Sequence, residues 1–210
     1  MSKVLAILGS GHLGQQIAHF AISDNHFEKV VFFDDFNEEK QSNGFDIIGK
    51  SNGIEQKYNE KLFSHLIIAI GYNHLDKRQY YFDLFKDKIP FAKIIHSSSW
   101  VDATAIIKDG CIIYPQCCID ANVVIDANTV VNLSCTISHD TYIGKHCFLS
   151  PKLAIAGFVK VFDRCILGIG TTIIDNIFIQ EDTQTGAATV VINNIEKTGL
   201  YVGSPHKLIR

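Results

Sequence analysis

The sequence predicts an α/β N-terminal Rossmann-like half-domain over residues 1–96 and a parallel β-helix over residues 97–210. Three observations predict it. A glycine loop, Gly9-Ser10-Gly11-His12-Leu13-Gly14, follows a short apolar run and opens an amphipathic segment. Up to about residue 96, short apolar runs alternate with helical stretches, the pattern of a parallel sheet with both faces covered. From Val101 onward the hydrophobic period is six and holds without a break to Ile195.

In the first part, Val4–Leu8 reads as a buried strand. Residues 12–23 read as a helix with Leu13, Ile17, Phe20 and Ala21 on one face. Residues 30–33 form a predicted second strand, ending at Asp34 and Asp35. Residues 66–70 form a third, followed by Gly71 and a helical stretch through Phe85. Residues 93–95 are the last strand predicted before the repeats.

Every sixth residue from Val101 to Val191 is a branched aliphatic, with Thr185 the one exception. The residue four positions further on, from Ala105 to Ile195, is small or β-branched nearly throughout. Such repeats fold as a parallel β-helix. The large aliphatic points inward from each short strand and the smaller residue fills the space near the turn. Three hexads close one triangular coil, so residues three hexads apart stack. The sixteen hexads then make five coils and one extra side. Each coil covers the edge of the previous one, leaving only the ends to be capped. The first domain is one candidate cap and residues 197–210 are the other.

This register explains the cysteines. Cys111, Cys117, Cys135, Cys147 and Cys165 take the small inward position; only Cys118 does not. They read as small core residues. Cys117 stacks with Cys135 and Cys147 with Cys165, within reach of disulfide geometry, but the expected compartment favours six free thiols.

Composition narrows the function. Of 210 residues, 47% are hydrophobic and 20% charged, with a net charge of −3 and a pI near 6.3. There is no broad basic surface for nucleic acid or anionic membranes. No apolar run approaches the roughly 20 residues that span a bilayer. The apolar run after Met1-Ser2-Lys3 is too short for a signal-peptide core. A cytoplasmic location is expected.

The glycine loop presents backbone N–H groups at a helix start, which suits a pyrophosphate. Asp34 and Asp35 stand where a dinucleotide fold places its ribose-binding acid. The motif alone therefore leaves NAD open beside a nucleotide sugar. Size favours the sugar, because fewer than 100 residues precede the repeats and a full dinucleotide fold needs two halves. Gly71 and Asn73 are predicted at the same sheet edge.

In the repeats, His139 falls near a corner, with Asp140 beside it. Its stacked neighbours, Ala121 and Gly157, are both small, so the imidazole stands in an open groove with the Gly157 N–H in reach of an acyl carbonyl. His146 is the other repeat histidine, on a different side of the prism, and no ligand set for a metal assembles. No metal is expected.

The hexads, the G-S-G-H-x-G loop, "FFDDF" (32–36), "IAIGYN" (68–73), "ISHD" (137–140) and "YVGSPHK" (201–207) together resemble bacterial sugar acyltransferases of the sialic acid O-acetyltransferase family. Within that family, the nearest resemblance is to N-acetyltransferases of nucleotide-linked 4-amino-4,6-dideoxy sugars. It covers essentially the whole chain. The resemblance implies a left-handed β-helix, a homotrimer, acetyl-CoA as acyl donor and a nucleotide sugar as acceptor. It implies His139 as the base and Asp140 as its support. It implies substrate contacts at Gly9, Ser10, Gly11, His12 and Asn132, and the sheet-edge reading adds Asp34, Asp35, Gly71 and Asn73 to them. It implies coenzyme A contacts at Ala156, Gly157, Ile169, Gly186, Ala187 and Pro205. His206 departs from the pattern, where the family usually has alanine. O-acetylation of a sialic-acid-type sugar and an NAD-binding role are the alternatives.

Overall fold

The computed structural model describes residues 3–210. The chain divides between Ile94 and Ile95 into two compact units.

The first unit holds β1 (Val4–Leu8), α1 (His12–Ser23), β2 (Lys29–Phe33), β3 (Gln41–Ser42), β4 (Phe45–Gly49), α2 (Ile54–Asn59), β5 (His65–Ile68) and α3 (Leu75–Phe85). Its sheet has the order β3-β4-β2-β1-β5. β1 is central, parallel to β2 and β5, and every one of its residues is buried. Such a strand reads as a continuous apolar run because both its faces are covered.

The face of α1 differs from the sequence expectation. Its buried residues are Gly14, Ile17, Ala18 and Ala21, while Leu13 and Phe20 are only partly covered. The cause is close approach. A Cβ at position 14 would lie 2.0 Å from the Gly9 carbonyl oxygen. The helix therefore seats its smallest residues on the loop, and the bulkier ones turn aside. The strand expected over 66–70 spans His65–Ile68. β3, β4 and α2 had no sequence signal: β3 and β4 are short and half-exposed, and α2 is anchored by a single buried residue, Ile54.

The second unit is built from sixteen two-residue strands, Trp100–Val101 through Val190–Val191, in three parallel sheets. Register is strict: Ile119 pairs with Val101 on one side and Ile137 on the other. The sheets form a left-handed parallel β-helix. The inward aliphatics Ile113, Ile125, Ile143 and Val161 are wholly buried. The small inward positions from Cys111 to Ile195 are buried too, and several of their polar atoms find partners, though the Thr183 hydroxyl does not. Thr129 donates its hydroxyl to Gly144 O at 2.8 Å and accepts Cys147 N–H at 3.0 Å. Cys111 and Cys135 donate their thiols to backbone carbonyls at 3.1 and 3.2 Å. All six cysteines are free thiols.

At the corners, every sixth residue from Gly110 to Ala188 has positive φ. Apart from Gly110 and Gly170, these include Asn122, Asn128, Ser134, Asp140 and Asn176, residue types that tolerate the left-handed region. The far end closes with Leu200–Val202, parallel to Gln184–Thr185, and Lys207–Leu208 turning back antiparallel. That hairpin covers the last coil.

Ile143→Ala tests the core. Ile143 is fully buried, and such a truncation costs about 2–5 kcal/mol. The urea midpoint falls accordingly. A midpoint within experimental error of the parent rules out a packed prism interior.

Candidate functional site

In the second unit, Ile137 and Thr141 both face the core, so Ser138, His139 and Asp140 must form the outer corner between them. Asp140 takes the left-handed conformation, φ +57°, and its N–H bonds Ala121 O at 2.9 Å in the coil before. The tight turn brings its carboxylate back onto its neighbour: His139 Nδ1 lies 2.9 Å from Asp140 Oδ2. Asn122, one coil away, donates its amide to Asp140 Oδ1 at 3.1 Å. The contact with His139 first, and that with Asn122 second, hold the Asp140 carboxyl below the usual carboxylate range. A carboxylate acceptor at Nδ1 keeps the imidazole proton there and leaves the Nε2 lone pair to act as a base.

Gly157, in the next coil, lies flat against this ring. A Cβ at 157 would come within 2.7 Å of His139 Cε1 and 2.9 Å of Nε2. Gly157 is buried, yet among the described residues its N–H has no protein acceptor. At three other turns the equivalent N–H is met by the side chain before it. Asp120, Asp126 and Asn132 each accept the N–H of the residue that follows, at 2.7, 2.7 and 2.8 Å. Before Gly157 stands Ala156, which has no side-chain acceptor. A buried, unused donor is costly, and the residue that carries this one packs against the Nε2 side of the ring. The pair is suited to a reaction that removes a proton from a nucleophile and builds negative charge on a carbonyl oxygen.

The remaining residues of the acyl-donor set fall elsewhere. Ile169 and Ala187 stack at a different corner, where Ala188 N–H bonds Ile169 O at 2.7 Å, and Asn132 belongs to that column as well. Asn132 Oδ1 is occupied by its own turn. Gly186 is accounted for by packing, since a Cβ there would meet Val202 Cγ1 at 2.8 Å. Pro205 is exposed in the terminal turn. His206 folds onto Tyr201, ring centroids 5.6 Å apart.

In the first unit, the Asp34 and Asp35 carboxylates already hold bonds within the protein. Asp34 Oδ2 accepts the N–H and the hydroxyl of Ser10, both at 2.7 Å, and Oδ1 accepts the N–H groups of Phe36 and Asn37 at 2.9 and 3.0 Å. Burial pushes its pKa up, but these bonds outweigh burial and hold it below the usual carboxylate value. Asp35 accepts Ser51 N–H at 2.8 Å, Ser51 hydroxyl at 2.9 Å and Tyr81 hydroxyl at 3.1 Å. Asp34 thus ties the glycine loop to the end of β2, and Asp35 ties that strand end to Ser51 and to Tyr81 of α3.

They still line a cavity of about 450 Å³ with Gly9, Phe36, His74 and Lys77. A second cavity, about 700 Å³, is lined by Ser10, Gly11, His12 and Asn37. Phe36 borders both and is 93% exposed. The first turn of α1 carries no side-chain cap, and Gly11 faces open space. Gly71 and Asn73 line neither cavity; His74 and Lys77 replace them in the wall. The sequence reading missed these two because the chain leaves β5 at Ile68 and makes a 3₁₀ turn, Tyr72–His74, before α3.

Residues 4–81 match the family model described as the PglD N-terminal domain. Over 67 residues the chain is 30% identical to a UDP-3-O-acylglucosamine N-acyltransferase of Albidiferax ferrireducens and to another of Bordetella pertussis. The match spans 32% of this chain and only 20% and 18% of those relatives' lengths. Solved structures match over the whole chain. PerB of Caulobacter crescentus, in complex with CoA and GDP-perosamine, has a TM-score of 0.87 at 25% identity, covering 98% of this chain and 97% of that one. The acetyltransferase domain of PglB from Neisseria gonorrhoeae, in complex with acetyl coenzyme A, has a TM-score of 0.91 at 22% identity, covering all of both chains. WeeI of Acinetobacter baumannii has a TM-score of 0.85 at 19% identity, over 99% of this chain and all of that one. Residues 4–81 are thus similar to the PglD N-terminal domain, and the chain as a whole shares the fold of these solved acetyltransferase structures.

Proposed function

We propose that this chain is an acetyl-CoA-dependent N-acetyltransferase acting on the amino group of a nucleotide-linked 4-amino-4,6-dideoxy sugar, for surface glycan biosynthesis. One observation carries the reading: Gly157, buried and with its N–H unused, packs against the ring of a carboxylate-supported His139. The sugar amine attacks the thioester carbonyl carbon while His139 Nε2 takes its proton. Asp140 stabilises the imidazolium that forms. The Gly157 N–H receives the charge growing on the carbonyl oxygen. When the tetrahedral adduct collapses, the carbon–sulfur bond breaks and His139 returns the proton to the departing thiolate. The balance closes without a metal.

The nucleotide's phosphates suit the uncapped start of α1, at Gly11 and His12, with Lys77 as a nearby cation. PerB, which binds CoA and GDP-perosamine, supports both substrate classes. A homotrimer is part of this reading, and the split of the expected donor set supports more than one prism at the site. Ala156 and Gly157 share the corner of His139, whereas Ile169, Gly186 and Ala187 lie at another. A donor held between two prisms would meet both corners. A cytoplasmic location suits these substrates and the six free thiols. No described helix is long and apolar enough to cross a membrane.

The test is a panel of UDP-, dTDP- and GDP-linked amino sugars, read by thermal shift with and without coenzyme A and by release of free thiol from acetyl-CoA. One amino sugar raises the melting temperature and releases thiol. Thiol release only with hydroxyl acceptors would instead establish O-acetylation. Stabilisation by NAD, with none by coenzyme A, overturns the proposal.

A further inference from the structure

Phe158 occupies a place its chemistry does not favour. It is one of the corner residues with positive φ, at +59°, where the chain otherwise uses polar or small residues, among them Gln116, Asn122, Asn128, Lys152 and Arg164. A bulky side chain in that region is an outlier, and strain of this kind is kept where it serves a site. Core burial does not repay it, for the ring is 53% exposed. What it does touch is His139. The two ring centroids are 5.1 Å apart and the planes meet at 87°, an edge-to-face contact. The Phe158 N–H also bonds the His139 carbonyl at 3.1 Å, which fixes the base of one side chain to the backbone of the other.

We infer that Phe158 is a positioning residue that holds the His139 imidazole in its working orientation; the inference rests on His139 being the base. The bond from Nδ1 to Asp140 is a single point of attachment, about which the ring can swing. Gly157 supplies a flat wall on one side but no grip. The His139 side chain is 49% exposed, so water competes for it from the open side. The phenyl ring of Phe158 closes that swing and screens part of the ring from solvent. Asp140, Gly157 and Phe158 together define one orientation, with the Nε2 side of the ring against Gly157. Neither Asp140 nor Gly157 does so alone.

The variant Phe158→Asn tests this, because asparagine already fills three other corners, at 122, 128 and 176, and suits the left-handed turn. Folding is therefore preserved, and the melting temperature is equal or higher. Turnover falls about tenfold, a modest share of what misplacing a reacting group can cost. The KM values for acceptor and acetyl-CoA stay within about twofold, since binding is left intact. Phe158→Tyr, which keeps the ring, restores turnover. Histidine-labelled NMR gives a readout independent of catalysis: the His139 ring signals, identified by their loss in His139→Gln, move in Phe158→Asn.

Unchanged turnover, a rise in KM alone, or unmoved His139 signals each overturn the inference. His139→Gln separates the two levels. If it abolishes turnover while Phe158→Asn does not affect it, only the positioning role falls. If His139→Gln retains turnover, the base assignment falls, and the positioning role with it.

Discussion

His139→Ala lowers turnover by about a thousandfold, in the middle of the range for loss of a general acid–base group, and leaves the β-helix intact. The side chain lies on the outer corner and contributes nothing to the prism interior, where Ile137 and Thr141 on either side of it are buried. Surface replacements of this kind change stability by about half a kcal/mol or less. Circular dichroism and the melting temperature are expected to match the parent. The KM values change little, because the imidazole acts on the proton in flight and not on either substrate at rest. Turnover within tenfold of the parent would remove His139 from the mechanism, and a collapse of the melting temperature would show that it supports the fold.

Gly157→Ala produces the second large effect, about a hundredfold loss of turnover, through geometry alone. The added methyl would sit 2.7 Å from His139 Cε1 and 2.9 Å from Nε2, closer than carbon and nitrogen atoms can approach. The imidazole must swing off the wall. The glycine does not adopt a left-handed φ, so the backbone accepts alanine and the N–H donor stays in place. The loss therefore reports displacement of the base. A double variant, His139→Ala with Gly157→Ala, is expected to be no slower than His139→Ala by more than a fewfold, because the two act through one group. Full additivity would mean that Gly157 contributes by a route independent of the imidazole.

Much of this arrangement is legible in the residues themselves. The inward column from Ile107 to Val191 and the small column from Cys111 to Ile195 are both buried in the structure. A six-residue period has one physical solution, so the sheets, the stacking of 139 on 121 and 157, and the outward corner all follow from counting. A second column was available and went unread. Gly110, Asn122, Asn128, Asp140, Gly170 and Asn176 mark the left-handed corner at the same period. Read that way, Phe158 stands out in the bare sequence as a large apolar residue in a column otherwise filled by polar or small ones. That Asp120, Asp126 and Asn132 give way to other residues from Ser138 onward, Ala156 among them, is equally visible once the function of those side chains is known.

The first unit was harder to read. Asp34 and Asp35 look like ribose ligands, because their place after β2 is where such acids stand. The structure gives their oxygens to Ser10, Phe36, Asn37, Ser51 and Tyr81. Ser51 and Tyr81 are far away in sequence, and no local pattern announces them.

The sequence by itself determined the two architectures, the depth of each repeat residue and the coil-to-coil neighbours of His139. Those depend on periodicity, and periodicity is local information repeated. Only the tertiary structure decided which polar groups are already bonded and which are left over. The Gly157 amide is unspent while the Asp34 carboxylate is fully engaged, and that difference rests on distances of a few tenths of an ångström between residues that the chain brings together only by folding.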